Sequence, residues 1–191
     1  MEQRTSHTAV AYRRQRQIED CLYEKLHHVP YQSISVSDIC RQVGISRKAY
    51  YNYYHDKDAC FCAIVDRIIR DFTLHCATVT PDNATLLEAS VILLEFWKSQ
   101  KVFFDILIRN NLYHILIERF VDYVQKENRT ILQRLDTPEH PSDGDILACY
   151  VSCQLTLVMR WYSRGFDTPT EEMAQKYLRV FHRPLILPPE L

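Results

Sequence analysis

Apolar residues recur with a helical period along most of the chain. Between Thr8 and His28, the positions Ile18, Leu22, Leu26 and Val29 follow at spacings of four, four and three, a single stripe that Pro30 ends. Residues 31–36 are too few to pair as a sheet and read as a connector. Ser35 stands three residues before Asp38, the spacing of a helix-capping pair, and Val36, Ile39 and Val43 then form a two-turn face that Gly44 closes. Ser46 is placed to cap a further short helix over Arg47–Tyr54. Asp56 opens a longer one whose apolar face is Phe61, Val65, Ile68, Ile69, Phe72 and Cys76. Beyond Pro81 the apolar faces widen. Leu87, Val91 and Leu94 mark one helix and Val102–Ile108 the next. Leu112, Leu116, Phe120, Val124, Ile131 and Leu135 mark a long third. The stretch TPEHPSDGD at 137–145 reads as a surface loop. Helices over Ile146–Ser163 and Thr170–Phe181 follow, before a tail, RPLILPPEL, that its prolines keep from continuing helically.

Composition sharpens this into an all-α fold. Only three of 191 residues are glycine, and Gly44, Gly144 and Gly165 all fall where periodicity breaks; the eight prolines flank periodic segments and interrupt none. At 47% hydrophobic and 25% charged the chain is ordinary globular material. No run approaches eighteen apolar residues and the N-terminal stretch lacks an apolar signal core, so neither a membrane span nor a secretory signal is expected. The seven cysteines read as reduced thiols of a cytoplasmic protein rather than as a disulfide framework.

Catalysis and metal binding find little support. There is no phosphate-cradling glycine loop. Cys60 and Cys62 lie two apart and Cys149 and Cys153 four apart, without paired Cys-x-x-Cys spacing, and the eight histidines are dispersed. No catalytic residue, metal site or cofactor is predicted. An enzymatic site around His75 or Cys153 is the weakest reading, since a thiol at a helical position is more often inert.

Two short helices joined by a turn holding Gly44 have the layout of a helix-turn-helix, whose second helix enters the DNA major groove. Ile39, Val43, Ile45, Tyr50 and Tyr53 fall where the two helices pack, and Cys40 supplies a small residue at their approach. The residues Ile39-Cys40, Gly44-Ile45-Ser46, Tyr51-Asn52-Tyr53-Tyr54 and Lys57-Asp58-Ala59-Cys60 together resemble the DNA-binding domain of the TetR family of bacterial transcriptional regulators over roughly residues 10–65. Ala49, the Tyr53-Tyr54 pair and Cys60 depart from the usual threonine, His-Phe pair and leucine of that pattern. The resemblance implies about nine helices, with a DNA-binding domain at residues 1–58 and a regulatory and dimerisation domain at 59–191. It also implies a repressor that binds operator DNA as a homodimer and leaves it on a signal. The competing reading keeps the fold but acts through a protein partner.

With Ile45, Tyr50 and Tyr53 turned inward, Arg47, Lys48, Tyr51 and Asn52 are left exposed on the second helix. Arg47 suits a bidentate contact to guanine, Asn52 a pair with adenine, and Lys48 either a base or a phosphate. Tyr51 resembles the family tyrosine that donates to the DNA backbone. Lys57 and Ser37 are expected at phosphates. Charge is only mildly favourable, with nine Lys/Arg against seven Asp/Glu in residues 1–58, although Arg4, Arg13, Arg14 and Arg16 form a basic cluster that is either a DNA-reaching arm or a solvated end. A dimer would set two such helices about 34–36 Å apart, or a multiple of that.

The resemblance places an inducer pocket among the middle helices, where Trp97, Phe103, Phe104, Tyr113, Phe120 and Tyr123 are either cavity lining or plain core. Tyr150, Val151, Val158 and Trp161, with Met173, Tyr177 and Phe181, supply more apolar surface than one internal face needs and are assigned to the dimer contact. The signal is a small molecule or a protein partner.

Overall fold

The computed structural model describes residues 2–81, 83–134 and 143–181. Among these it contains no strand. Its helices are α1 (Glu2–His28), α2 (Val36–Val43), α3 (Arg47–Tyr51), α4 (Lys57–Val79), α5 (Leu86–Ser99), α6 (Lys101–Arg109), α7 (Tyr113–Arg134), α8 (Asp143–Ser163) and α9 (Thr170–Phe181), with one 3₁₀ turn at Tyr31–Ser33. The surface loop expected at 137–145 and the proline-rich tail lie largely outside the described residues, and α8 begins three residues ahead of Ile146.

Local chemistry accounts for the short elements. The Ser35 side chain accepts the Asp38 N–H while the Asp38 carboxylate accepts the Ser35 N–H, so two otherwise bare donors at the start of α2 are satisfied reciprocally. Gly44, at φ 72 and ψ 41, ends α2 in the left-handed region, and the Ile45 N–H returns 3.0 Å to the Cys40 carbonyl. Ser46 then caps α3 by accepting the Ala49 N–H at 3.1 Å. That helix stops at Tyr51 rather than at Tyr54. The Tyr50 carbonyl accepts N–H groups from both Tyr53 and Tyr54, a tightened last turn that spends the acceptor a longer helix would use singly.

The chain divides into two compact units. One comprises residues 1–68 and 105–123, the other residues 69–104 and 124–191. Residue 58, the boundary read from the sequence, falls inside α4. In the first unit α2 packs on both α1 and α3. Its core takes the α1 stripe (Ile18, Leu22, Leu26), Ile39 of α2, Tyr50 of α3, Phe61, Ile64 and Val65 of α4, and Leu107 and Leu116, all at 0% exposure. In the second unit α5 packs on both α8 and α9. Trp97 lies against Phe72, Phe96 and Phe104, while Trp161 donates its indole N–H to the Thr168 carbonyl at 3.1 Å. Lys98 and Glu95 of α5 both bond the Thr170 hydroxyl at the start of α9.

Candidate nucleic-acid interface

The candidate site is the outer face of α3. Its five residues are too few for a helix that stands alone, so the seating of Tyr50 decides its orientation. Tyr50 is fully buried, its hydroxyl donates to the Asp56 carbonyl at 3.0 Å, and its ring lies 6.0 Å from that of Tyr54. Tyr54, at 5% exposure, donates to Glu19 of α1 at 2.6 Å, and Arg67 of α4 reaches the same carboxylate at 2.9 Å and Asp20 at 2.8 Å. Burying Glu19 to 6% exposure is tolerable because both of its oxygens are bonded. Burial also pushes the Tyr50 and Tyr54 phenols well above their ordinary titration range, so both remain neutral donors.

With Tyr50 turned in, the helical period turns Arg47, Lys48, Tyr51 and Asn52 out, and all four are exposed. Arg47 Nη2 donates to the Tyr51 hydroxyl at 3.1 Å, one turn away, and the guanidinium lies 5.8 Å from that ring. The same bond raises the Arg47 pKa further. The pair holds two hydrogen-bonding tips side by side on a helix that itself carries no acid. Asn52 caps the helix C-terminus, and Ser37 is half-buried in the first turn of α2.

Lys57 is placed differently from its sequence reading. Its ammonium donates to the Tyr31 carbonyl at 2.6 Å and the Ile34 carbonyl at 2.8 Å and lies 4.0 Å from the Tyr31 ring. Two of its three donors and the adjacent ring face are thus spent inside the unit, and burial holds its pKa below the ordinary lysine range. Lys57 thus has a structural role in the unit, with one ammonium donor left for the phosphate contact expected of it. Residues that the sequence left unremarked do much of the positioning, namely Glu19, Tyr31, Arg67, and the pair Asp66–Arg119, a two-pronged ion pair with both bonds at 2.8 Å. Their partners stand tens of residues away along the chain, so no local pattern announces them.

The other predicted sites are largely core. Trp97, Phe103, Phe104 and Phe120 are at most 2% exposed, and Tyr113 and Tyr123 are half-buried. None of the six is among the residues lining two cavities of the second unit. One, of about 580 Å³, is bounded by Ser152, Cys153, Thr156, Leu157, Arg164, Thr168, Met173, Lys176 and Tyr177. The other, of about 420 Å³, is bounded by Val79, Pro81, Leu87, Glu88, Val91, Ile92 and Glu171. Of the residues assigned to the dimer contact, Val151, Val158, Trp161, Met173 and Tyr177 are at most 5% exposed within the single chain, because they form the inward faces of α8 and α9. Tyr150 is exposed, with Ile146, Cys149 and Cys153 alongside it on the outer face of α8, and the Phe181 side chain lies outside the described residues. The seven cysteines are free thiols, no described group of three or more His, Cys, Asp or Glu side chains could hold a metal ion, and no described helix is long and apolar enough to cross a membrane.

Among the described residues the chain is built of helices, and a short exposed helix set after a capped turn has the layout of a helix-turn-helix. Its fold is that of the TetR family. It superposes on a TetR transcriptional regulator from Streptococcus agalactiae with a TM-score of 0.63 at 16% identity, over 94% of this chain and 99% of that one. It also superposes on a TetR-family transcriptional regulator from Streptomyces coelicolor with a TM-score of 0.57 at 19% identity, over 89% of this chain and 79% of that one. No family model matches the sequence, and no curated protein matches it.

Proposed function

We propose that this protein is a transcription regulator that binds operator DNA as a homodimer through α3, acting as a repressor released by a signal received in its C-terminal part. The observation that carries the reading is the Arg47–Tyr51 pair, exposed on a helix whose opposite side is fixed by the buried Tyr50. Arg47 has the donor fork for a guanine edge, Asn52 can pair with adenine, and Lys48, Tyr51 and Ser37 serve phosphates or bases. One such helix contacts few phosphates, so affinity requires two copies related by a twofold axis. The outer face of α8, with Ile146, Cys149, Tyr150 and Cys153 beside the 580 Å³ groove, is the surface we assign to that contact, in place of the residues buried within one chain.

The test is binding of oligonucleotides selected from a random pool, followed across salt concentrations. Affinity should fall steeply as salt rises, because neutralised phosphates release counterions, and R47A should relax sequence preference. A wild-type protein that selects no sequence and binds without salt dependence would overturn the reading in favour of action through a protein partner.

A further inference from the structure

The last turn of α6 is bonded into the connector that leads to α2. α6 ends in a tight cap, with Asn111 in the left-handed region at φ 55, the Asn111 N–H on the Ile108 carbonyl at 3.1 Å and the Leu112 N–H on the Leu107 carbonyl at 2.8 Å. Within that turn the Asn110 amide donates to the Ile106 carbonyl at 2.8 Å, which fixes its oxygen to accept the Tyr31 N–H at 2.7 Å. Next to it, the Arg109 guanidinium donates to the carbonyls of Leu26 and His27, closing the C-terminus of α1. Tyr31 is held from its other side too. Its carbonyl accepts from Lys57, its hydroxyl donates to Asp58, and its ring packs 5.5 Å from Phe61. Four residues later comes Ser35, the cap of α2. The polar groups of Tyr31 and the Ile34 carbonyl are therefore bonded by the start of α4 and the end of α6. Residues 105–123 belong to the same compact unit as residues 1–68.

We infer that Asn110, supported by Arg109, is a positioning residue for DNA reading, in that the last turn of α6 sets α2, and through it α3, by way of Tyr31. The inference rests on the DNA-binding reading above. Neither side chain lies on the reading face, so their loss should change affinity without removing a phosphate contact.

The test uses the full chain carrying N110L, which deletes the acceptor at similar volume, and N110D, which keeps it. Amide exchange at Tyr31 and across α2, DNA affinity and its salt slope are read for each. N110L should speed exchange at Tyr31 and through Val36–Val43 and weaken binding about tenfold with the salt slope unchanged, and N110D, which keeps the acceptor for Tyr31 but loses the donor to Ile106, should recover part of both. Faster exchange confined to Tyr31, or unaltered affinity despite faster exchange through α2, would overturn the inference. If the wild type binds no DNA, the DNA-binding reading fails and the role in DNA reading falls with it, while the exchange arm still decides whether Asn110 sets α2. Should N110L not fold, R109M replaces it, since Arg109 is exposed; it should give the same direction of change, and its having no effect on α2 exchange would likewise overturn the inference.

Discussion

Tyr54 and Glu19, thirty-five residues apart in the chain, meet at 2.6 Å with the phenol donating to the carboxylate. Arg67 bonds the other oxygen, so residues from the stretch after α3, from α1 and from α4 share one buried acid. Y54F should cost about 1–2 kcal/mol of unfolding free energy, the loss of a hydrogen bond to a charged acceptor. E19A should cost more, about 3 kcal/mol, because it strands the buried Tyr54 hydroxyl and leaves Arg67 with Asp20 as its one carboxylate partner. Urea unfolding checks the order; equal costs, or none, would show that the network does not seat the helices.

Arg47 and Lys57 separate by assay, although both are cations near the reading helix. R47A should leave stability within about 0.5 kcal/mol, because the residue is solvent-facing, while weakening binding to the preferred sequence by about 1–3 kcal/mol and relaxing sequence preference. K57M removes the donor to the Ile34 carbonyl and leaves the Tyr31 carbonyl with the Ile34 N–H, so it should lower the urea midpoint while leaving the salt slope unaltered. A reduced slope in K57M would return that residue to the phosphates.

The α2 cap carries a pH signature. Hydrogen bonds from the Ser35 hydroxyl and N–H hold the Asp38 carboxyl below its usual range. A depressed carboxyl binds fewer protons folded than unfolded, so its contribution is complete above an unfolded value of about 4 and fades as pH falls through the lowered one. S35A should therefore be less stable than the wild type at neutral pH, and the gap should narrow on acidification. A gap that stays constant down to pH 2 would remove Asp38 from the account.

Thiol reactivity should follow burial. Cys60 is fully buried, and burial pushes its thiol up to about 12, whereas Cys149 and Cys153 are exposed one turn apart on α8. A thiol-exchange reagent should label Cys149 and Cys153 first and Cys60 only after unfolding. If the outer face of α8 forms the twofold contact, a short bismaleimide should also yield a covalent dimer that the C149S/C153S double variant cannot form. Failure to cross-link in a protein that is dimeric by sedimentation would place the contact elsewhere.

Gly44 is needed for its dihedral angle rather than for space. Its φ is 72, and a Cβ there would meet nothing within 4 Å, so G44A should cost about 1–2 kcal/mol through strain alone. G44N should recover part of that, because asparagine tolerates this region better than alanine does. Equal destabilisation by the two variants would point to a contact instead.

What the sequence determined is local. The Ser35–Asp38 cap, the left-handed turn at Gly44, the Ser46 cap and the inward Tyr50 beside an outward Tyr51 each depend on residues within four positions of one another, where helical geometry leaves little choice. Tertiary structure decided which polar groups meet and which apolar faces are already covered. Lys57 turns inward because the connector's carbonyls, 23 and 26 residues earlier, lie within its reach. Val151, Val158 and Trp161 are core because α5 lies along their helix, and a periodic stripe carries no mark of whether its cover comes from the same chain or from another. The bond from Tyr31 to Asn110 spans 79 residues, and only the packing of α6 against α1 and its connector brings those two groups together.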